Sequence, residues 1–149
     1  ILSFFSQKCY HTNMRITTRG RYALRATLAL SLLGKGGRPV SVNDLSEYED
    51  ISPVFLEQIF FKLRKAGIVD SVRGANGGFY FAQPPESLTA RTILLAAGEE
   101  LGDLPCDKHA KTCNRVDYCP SHKVWVDLNK LMNNYLESLT LASIMDGGI

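Results

Sequence analysis

The sequence predicts a mainly α protein with one small β-hairpin: a winged helix-turn-helix followed by a long dimerisation helix. Three observations carry this. Two short helical stretches, about three residues apart, lie between Ser41 and Gly67 and form a helix-turn-helix. Two β-prone runs around a glycine-rich turn follow directly, where a wing would stand. Farther on, Val124, Leu128, Leu131, Tyr135 and Leu139 advance by four, three, four and four, close to a heptad seam.

Residues 1–13 include Leu2, Phe4 and Phe5 but neither a charged lead-in nor an Ala-x-Ala cleavage pattern, so they match neither a signal peptide nor a domain. Met14 reads as a natural start, and residues 1–13 as an N-terminal extension that is disordered or not native. From Thr17 to Leu33 the residues Tyr22, Leu24, Ala26, Leu28, Ala29, Leu32 and Leu33 recur at helical spacing. Thr17 or Thr18 can cap this helix, and Gly34, Gly36 and Gly37 end it. Arg15, Arg19, Arg21 and Arg25 crowd its first half. Cations there oppose the macrodipole. Either an external anion compensates them, with Arg15 and Arg19 as candidates for phosphate contact, or they form a solvated face.

Val40 precedes Ser41-Val42-Asn43-Asp44, a capping-box-like start for a short helix through Glu49. Ser52-Pro53 opens the next helix, with serine as N-cap and proline in the first turn. It carries Phe55, Leu56, Ile59, Phe60 and Leu63 and closes at Ala66-Gly67. The second helix of such a pair enters the major groove. Ile68 to Arg73, Gly74 to Gly78 and Phe79 to Phe81 then form the hairpin. Its glycines would suit any hairpin turn; its position behind the helix pair makes it a wing. Arg73, at the mouth of the turn, can reach a narrow minor groove. Pro84-Pro85 breaks the chain, Thr89 caps a helix carrying Ile93, Leu94, Leu95 and Ala97 that ends near Gly98, and Thr140 caps a last turn through Ile144. The stripe on the long helix is too extensive for one small domain to cover. A second copy of that helix is the expected cover, with packing onto the winged helix as the competing arrangement.

Between the last two long stretches runs C-D-K-H-A-K-T-C-N-R-V-D-Y-C-P-S-H, from Cys106 to His122, with spacing C-x6-C-x5-C-x2-H. It holds no apolar run, so ordering it costs conformational entropy unless a clip compensates. Three thiols and an imidazole can ligate one inorganic centre. A zinc site usually shows a C-x2-C knuckle, absent here. Disulfides would leave one of the three cysteines unpaired and need an oxidising compartment. A catalytic cysteine needs a base in a cleft, and no nucleophile, base and orienter come together, which argues against an enzyme. An iron–sulfur cluster takes four ligands, usually thiolates, and tolerates histidine. Within the segment His109 competes with His122, and Asp103, Asp107 and Asp117 are possible oxygen ligands. His122 is preferred because it begins the long helix one turn after Cys119. Cys9 lies in the N-terminal extension and is left out of the site.

Charge is divided. Met14 to Arg73 holds ten Lys/Arg against six Asp/Glu, and Gly74 to Ile149 six against nine. A polyanion partner is therefore expected for the first half only. The apolar content of 45% supports a globular core, and no apolar run approaches a bilayer span, so no membrane contact is expected. Without an export signal the cytoplasm is the expected compartment, where thiols stay reduced.

Met14 to Ala23, Leu56-Glu57-Gln58-Ile59-Phe60, Leu63 to Gly67, Val72-Arg73-Gly74 with Gly77-Gly78, and Cys119-x-x-His122 followed by Trp125 resemble the iron–sulfur cluster regulator (IscR) family from Met14 to Leu141. The resemblance implies a dimeric winged-helix repressor of cluster-assembly genes that binds a double-stranded DNA operator. It implies a [2Fe–2S] cluster on Cys106, Cys113, Cys119 and His122. Relatives commonly place five residues between the first two cysteines; this chain has six. The implied DNA-reading positions are Ser52, Val54, Phe55, Glu57, Gln58 and Arg73, with Gln58 suited to adenine and Glu57 to cytosine. Phe55 is equally suited to the core. A nitric-oxide-sensing repressor with a [4Fe–4S] cluster is the nearest alternative, although such relatives usually lack the histidine. A small metal or iron–sulfur protein using its helix pair for protein contacts is another. On this reading residues 14–85 form the DNA-binding region, 86–120 a connecting helix and cluster-binding loop, and 121–149 a dimerisation helix and C-terminal turn.

Overall fold

A computed structural model describes residues 16–101, 113 and 115–147. The chain runs α1 (Thr18–Leu33), α2 (Val42–Glu49), α3 (Pro53–Lys65), β1 (Val69–Val72), β2 (Gly78–Phe81), α4 (Ala90–Ala97), α5 (His122–Ser138) and α6 (Leu141–Met145), with short 3₁₀ turns at Lys35–Gly37 and Pro85–Ser87. The mainly helical class with one antiparallel hairpin is as the sequence predicts.

Local chemistry sets most helix starts. Thr17, Ser41, Ser52, Thr89 and Thr140 each accept a backbone N–H of the first turn through the side-chain oxygen. Each such cap satisfies a donor that the helix itself leaves unpaired. The helix pair closes around one buried cluster. Leu30 of α1, Leu45 of α2, Leu56, Ile59, Phe60 and Leu63 of α3, Ile68, Leu88, Ile93 of α4 and Leu141 of α6 are all essentially inaccessible. Burial of each such side chain contributes roughly 1.5–3 kcal/mol. Ala23, Ala26 and Ala29 give α1 a buried face without bulk, so α4 lies against it closely. Phe60 stacks on Phe79 with centroids 4.5 Å apart, joining α3 to the hairpin.

β1 and β2 pair antiparallel, Val69 opposite Phe81 and Val72 opposite Gly78. The pairing extends beyond the hairpin. Val40 N–H donates to the Phe79 carbonyl at 2.9 Å, and Phe79 N–H to the Val40 carbonyl at 2.8 Å. This short third rung ties the wing to the connector between α1 and α2. It requires Gly78, whose φ is 157° and where a Cβ would stand 2.2 Å from the Val40 oxygen. Gly78→Ala is expected to cost about 1–3 kcal/mol through that backbone clash. A lower urea midpoint with an unchanged slope measures it.

α5 differs from the other long helices: none of its residues is fully buried. Asn133 fastens it to the body. Its Nδ2 donates to the Leu101 carbonyl at 2.7 Å, and Arg91 Nε of α4 donates to its Oδ1 at 2.9 Å. The opposite side leaves Val124, Leu128, Leu131 and Tyr135 exposed, Leu131 by 67%. Leu139, the last residue of the predicted stripe, lies just past the helix in extended backbone and is half-buried, so intramolecular packing leaves the other four uncovered among the described residues. No described helix is long and apolar enough to cross a membrane.

Candidate functional site

α3 divides its residues by face. Leu56, Ile59, Phe60 and Leu63 point into the core. Val54, Glu57 and Gln58 are exposed, with Phe61, 70% exposed, one turn on. Ser52 Oγ accepts Phe55 N–H at 3.3 Å, so the helix start is fixed by the cap and by Pro53. Phe55 is half-buried, its ring edge-on to Tyr22 at 5.7 Å. That ring is thus committed to α1, the core-like placement the sequence left open. Arg64 Nη1 donates to Ser71 Oγ at 3.1 Å, tying the end of α3 to β1. Arg73 is exposed just beyond β1.

The arginine cluster on α1 separates into different tasks. Arg25 Nε lies 2.8 Å from a Glu49 carboxylate oxygen and its guanidinium stacks over Tyr22, holding the end of α2. Arg19 turns inward: Nη2 donates to the Gly98 carbonyl at 3.4 Å, and Nε is buried without a partner. Arg15 lies outside the described residues.

For the cysteine segment, Cys106, His109, Asp103 and Asp107 lie outside the described residues. Cys113 and Cys119 are half-buried free thiols, and Asp117 is exposed. His122 N–H donates to the Cys119 carbonyl at 3.2 Å, so the pair occupies one turn at the start of α5. His122 Nδ1 is buried and has no hydrogen-bond partner among the described residues. A ring nitrogen in that condition costs free energy unless a donor or a metal meets it. Cys119 Sγ lies 3.3 Å from Ser121 Oγ. Hydrogen bonds from the Ser121 side chain and then its backbone lower the Cys119 thiol pKa below its ordinary value, against an opposing desolvation, with His122 N–H and Arg115 adding to the shift. A lowered pKa eases formation of the thiolate, which is the metal-ligating form. Among the described residues no three Cys, His, Asp or Glu side chains converge. The donor types, soft thiolates with one imidazole, fit an iron–sulfur centre.

Glu99 is not singled out by sequence reading. It stands just after the glycine that ends α4, where an acid reads as surface, yet it is 5% exposed. Only its partner across the fold, Thr17, reveals it.

A helix-turn-helix with an exposed second-helix face, backed by a two-stranded wing, defines a winged-helix transcription regulator. The matching family model is Rrf2, iron-dependent transcriptional regulator, over residues 16–147, and the chain belongs to this family. The IscR regulator of Aliivibrio salmonicida is 37% identical over 133 residues, 89% of this chain and 77% of that one. Among solved structures, CymR, the global cysteine regulator of B. subtilis, superposes with a TM-score of 0.74 at 26% identity, over 90% of this chain and 98% of that one. IscR of T. potens superposes with a TM-score of 0.72 at 29% identity, over 92% and 90%. The resemblance to IscR regulators read from the motifs therefore holds.

Proposed function

We propose that this transcription regulator senses iron–sulfur status through its own cluster and represses cluster-assembly genes as a homodimer. Cys106, Cys113, Cys119 and His122 would hold a [2Fe–2S] cluster. The observation that carries the reading is the buried Nδ1 of His122, without a hydrogen-bond partner among the described residues, one turn from a thiol whose pKa its neighbours lower. When bound, the cluster supplies a redox centre that a neutral imidazole in place of a thiolate makes less negative and easier to reduce.

The chain's own residues do the rest. Val54, Glu57 and Gln58 face outward on α3 and are suited to base edges, while Ser52 caps the helix start and Phe55 holds the helix against Tyr22 of α1. Glu57 discriminates, because a carboxylate left unpaired penalises the wrong half-site. Arg73 serves the minor groove, Arg15 a phosphate, and Arg19 a phosphate once it leaves Gly98. Two copies joined through the α5 stripe would present two α3 helices to successive major grooves, about 34 Å apart.

Anaerobic purification with iron and sulfide analysis, a visible spectrum and operator titration test the reading. Equal iron and sulfide, near two of each per chain, are expected, with operator affinity that falls with salt and differs between loaded and apo protein. Four irons per chain would favour the [4Fe–4S] alternative. A colourless, zinc-loaded protein that binds the operator equally with and without metal would overturn it.

A further inference from the structure

Gly98 to Leu101 is the short strap between α4 and the cysteine segment, and it is fastened at both ends. The Glu99 carboxylate accepts Thr17 N–H at 2.9 Å and the Thr17 hydroxyl on its other oxygen. It thereby sits at the N-terminus of α1, where the helix dipole favours an anion. The same first turn is held again where Arg19 donates to the Gly98 carbonyl. At the other end, Asn133 of α5 donates to the Leu101 carbonyl at 2.7 Å. Asn133 is itself fixed by Arg91 and by the Asn129 carbonyl at 2.9 Å, so it is a rigid anchor.

We infer that Glu99 is a positioning residue that transmits the state of the cysteine segment to the first turn of α1, and so decides whether Arg19 is available to DNA phosphate. The inference rests on the cluster-sensing reading. A carboxylate with 5% exposure depends on its hydrogen bonds for compensation, so it cannot leave Thr17 without a large loss. Displacement of the strap therefore moves Thr17 and Arg19 with it. No other described side chain joins the strap to α1 by two charge-assisted bonds of this kind. Gly20 makes the fit possible, since a Cβ there would stand 2.7 Å from the Glu99 side chain.

The test compares full-length wild type with Glu99→Gln, each apo and after anaerobic reconstitution with iron and sulfide. Operator affinity and amide hydrogen exchange over residues 17–21 are read in both states. The wild type is expected to show a loaded-to-apo affinity ratio in the ordinary allosteric range, about 5–150-fold, and a change in exchange at residues 17–21. In Glu99→Gln the ratio is expected to fall toward one and the exchange change to vanish, with apo affinity and iron content retained. Thr17→Ser, which keeps the hydroxyl, should behave as wild type, and Thr17→Val should follow Glu99→Gln and replaces it if that variant does not fold. A wild-type ratio kept in full by both Glu99→Gln and Thr17→Val overturns the inference and leaves the sensing reading standing. A wild-type ratio of one overturns both.

Discussion

Cys119→Ala is expected to abolish iron binding and, with it, the difference in operator affinity between loaded and apo protein. Cys119 is the thiol whose surroundings favour the anion: Ser121 approaches it at 3.3 Å and lowers its pKa. Alanine removes one of the four proposed donors and leaves His122 Nδ1 buried with no partner among the described residues. Iron should fall to background and the visible bands should disappear, while the apo fold persists because the buried cluster does not include this residue. Cys106→Ala and Cys113→Ala should behave alike, and Cys9→Ala should bind iron as wild type does. Iron content measured after anaerobic reconstitution decides the matter; full colour in Cys119→Ala would remove this thiol from the ligand set.

A second large effect is expected from a charge placed in the α5 stripe. Leu131 is 67% exposed and Leu128 40% exposed on the same side of the helix, a costly display unless a partner covers it. Leu128→Lys with Leu131→Glu would bury four charges, two from each copy, in a homodimer seam, and sedimentation should shift from dimer to monomer. Operator affinity should then drop by about 10²–10⁴-fold, because the second half-site no longer binds at high effective concentration. The body of the protein should still fold, since neither residue joins its core, with any loss in urea midpoint limited to the stability the partner copy supplied. Sedimentation identical to wild type would remove α5 as the dimer contact.

What sequence made legible was what chemistry over four or five residues determines. Ser41 followed by Asp44, and Ser52 followed by Pro53, announce their helices, and the caps are in place at 3.1 Å and 3.3 Å. The hairpin was legible from the glycine turn between two β-prone runs. The pairing of Val40 with Phe79 was not, since it joins residues with no shared local pattern. Nor was the inward turn of Arg19, because an arginine on a helix carries no mark of which neighbour will receive it. Phe55 satisfied both the core and the DNA-facing pattern, and only Tyr22, a helix away, shows where its ring rests. For the candidate site, spacing nominated the three cysteines and left His109 and His122 in competition, the resemblance implied His122, and the structure adds that its ring nitrogen has no partner among the described residues.

The ends of α4 and α5 also have a consequence for how such chains can vary. Ala90 N–H donates to the Leu139 carbonyl at 2.7 Å, and Leu141 N–H to the Leu88 carbonyl at 2.8 Å. The excursion from Ala90 to Leu139 thus departs from and returns to one point, like a lariat tied off at its base. A residue added within the ring between Leu101 and the start of α5, beyond the buried α4, lengthens it without displacing the body it hangs from, and the entropic cost of each addition is small. Residues 107–112 fall inside this ring, so the spacing between Cys106 and Cys113 can change while the wing and α3 keep their places.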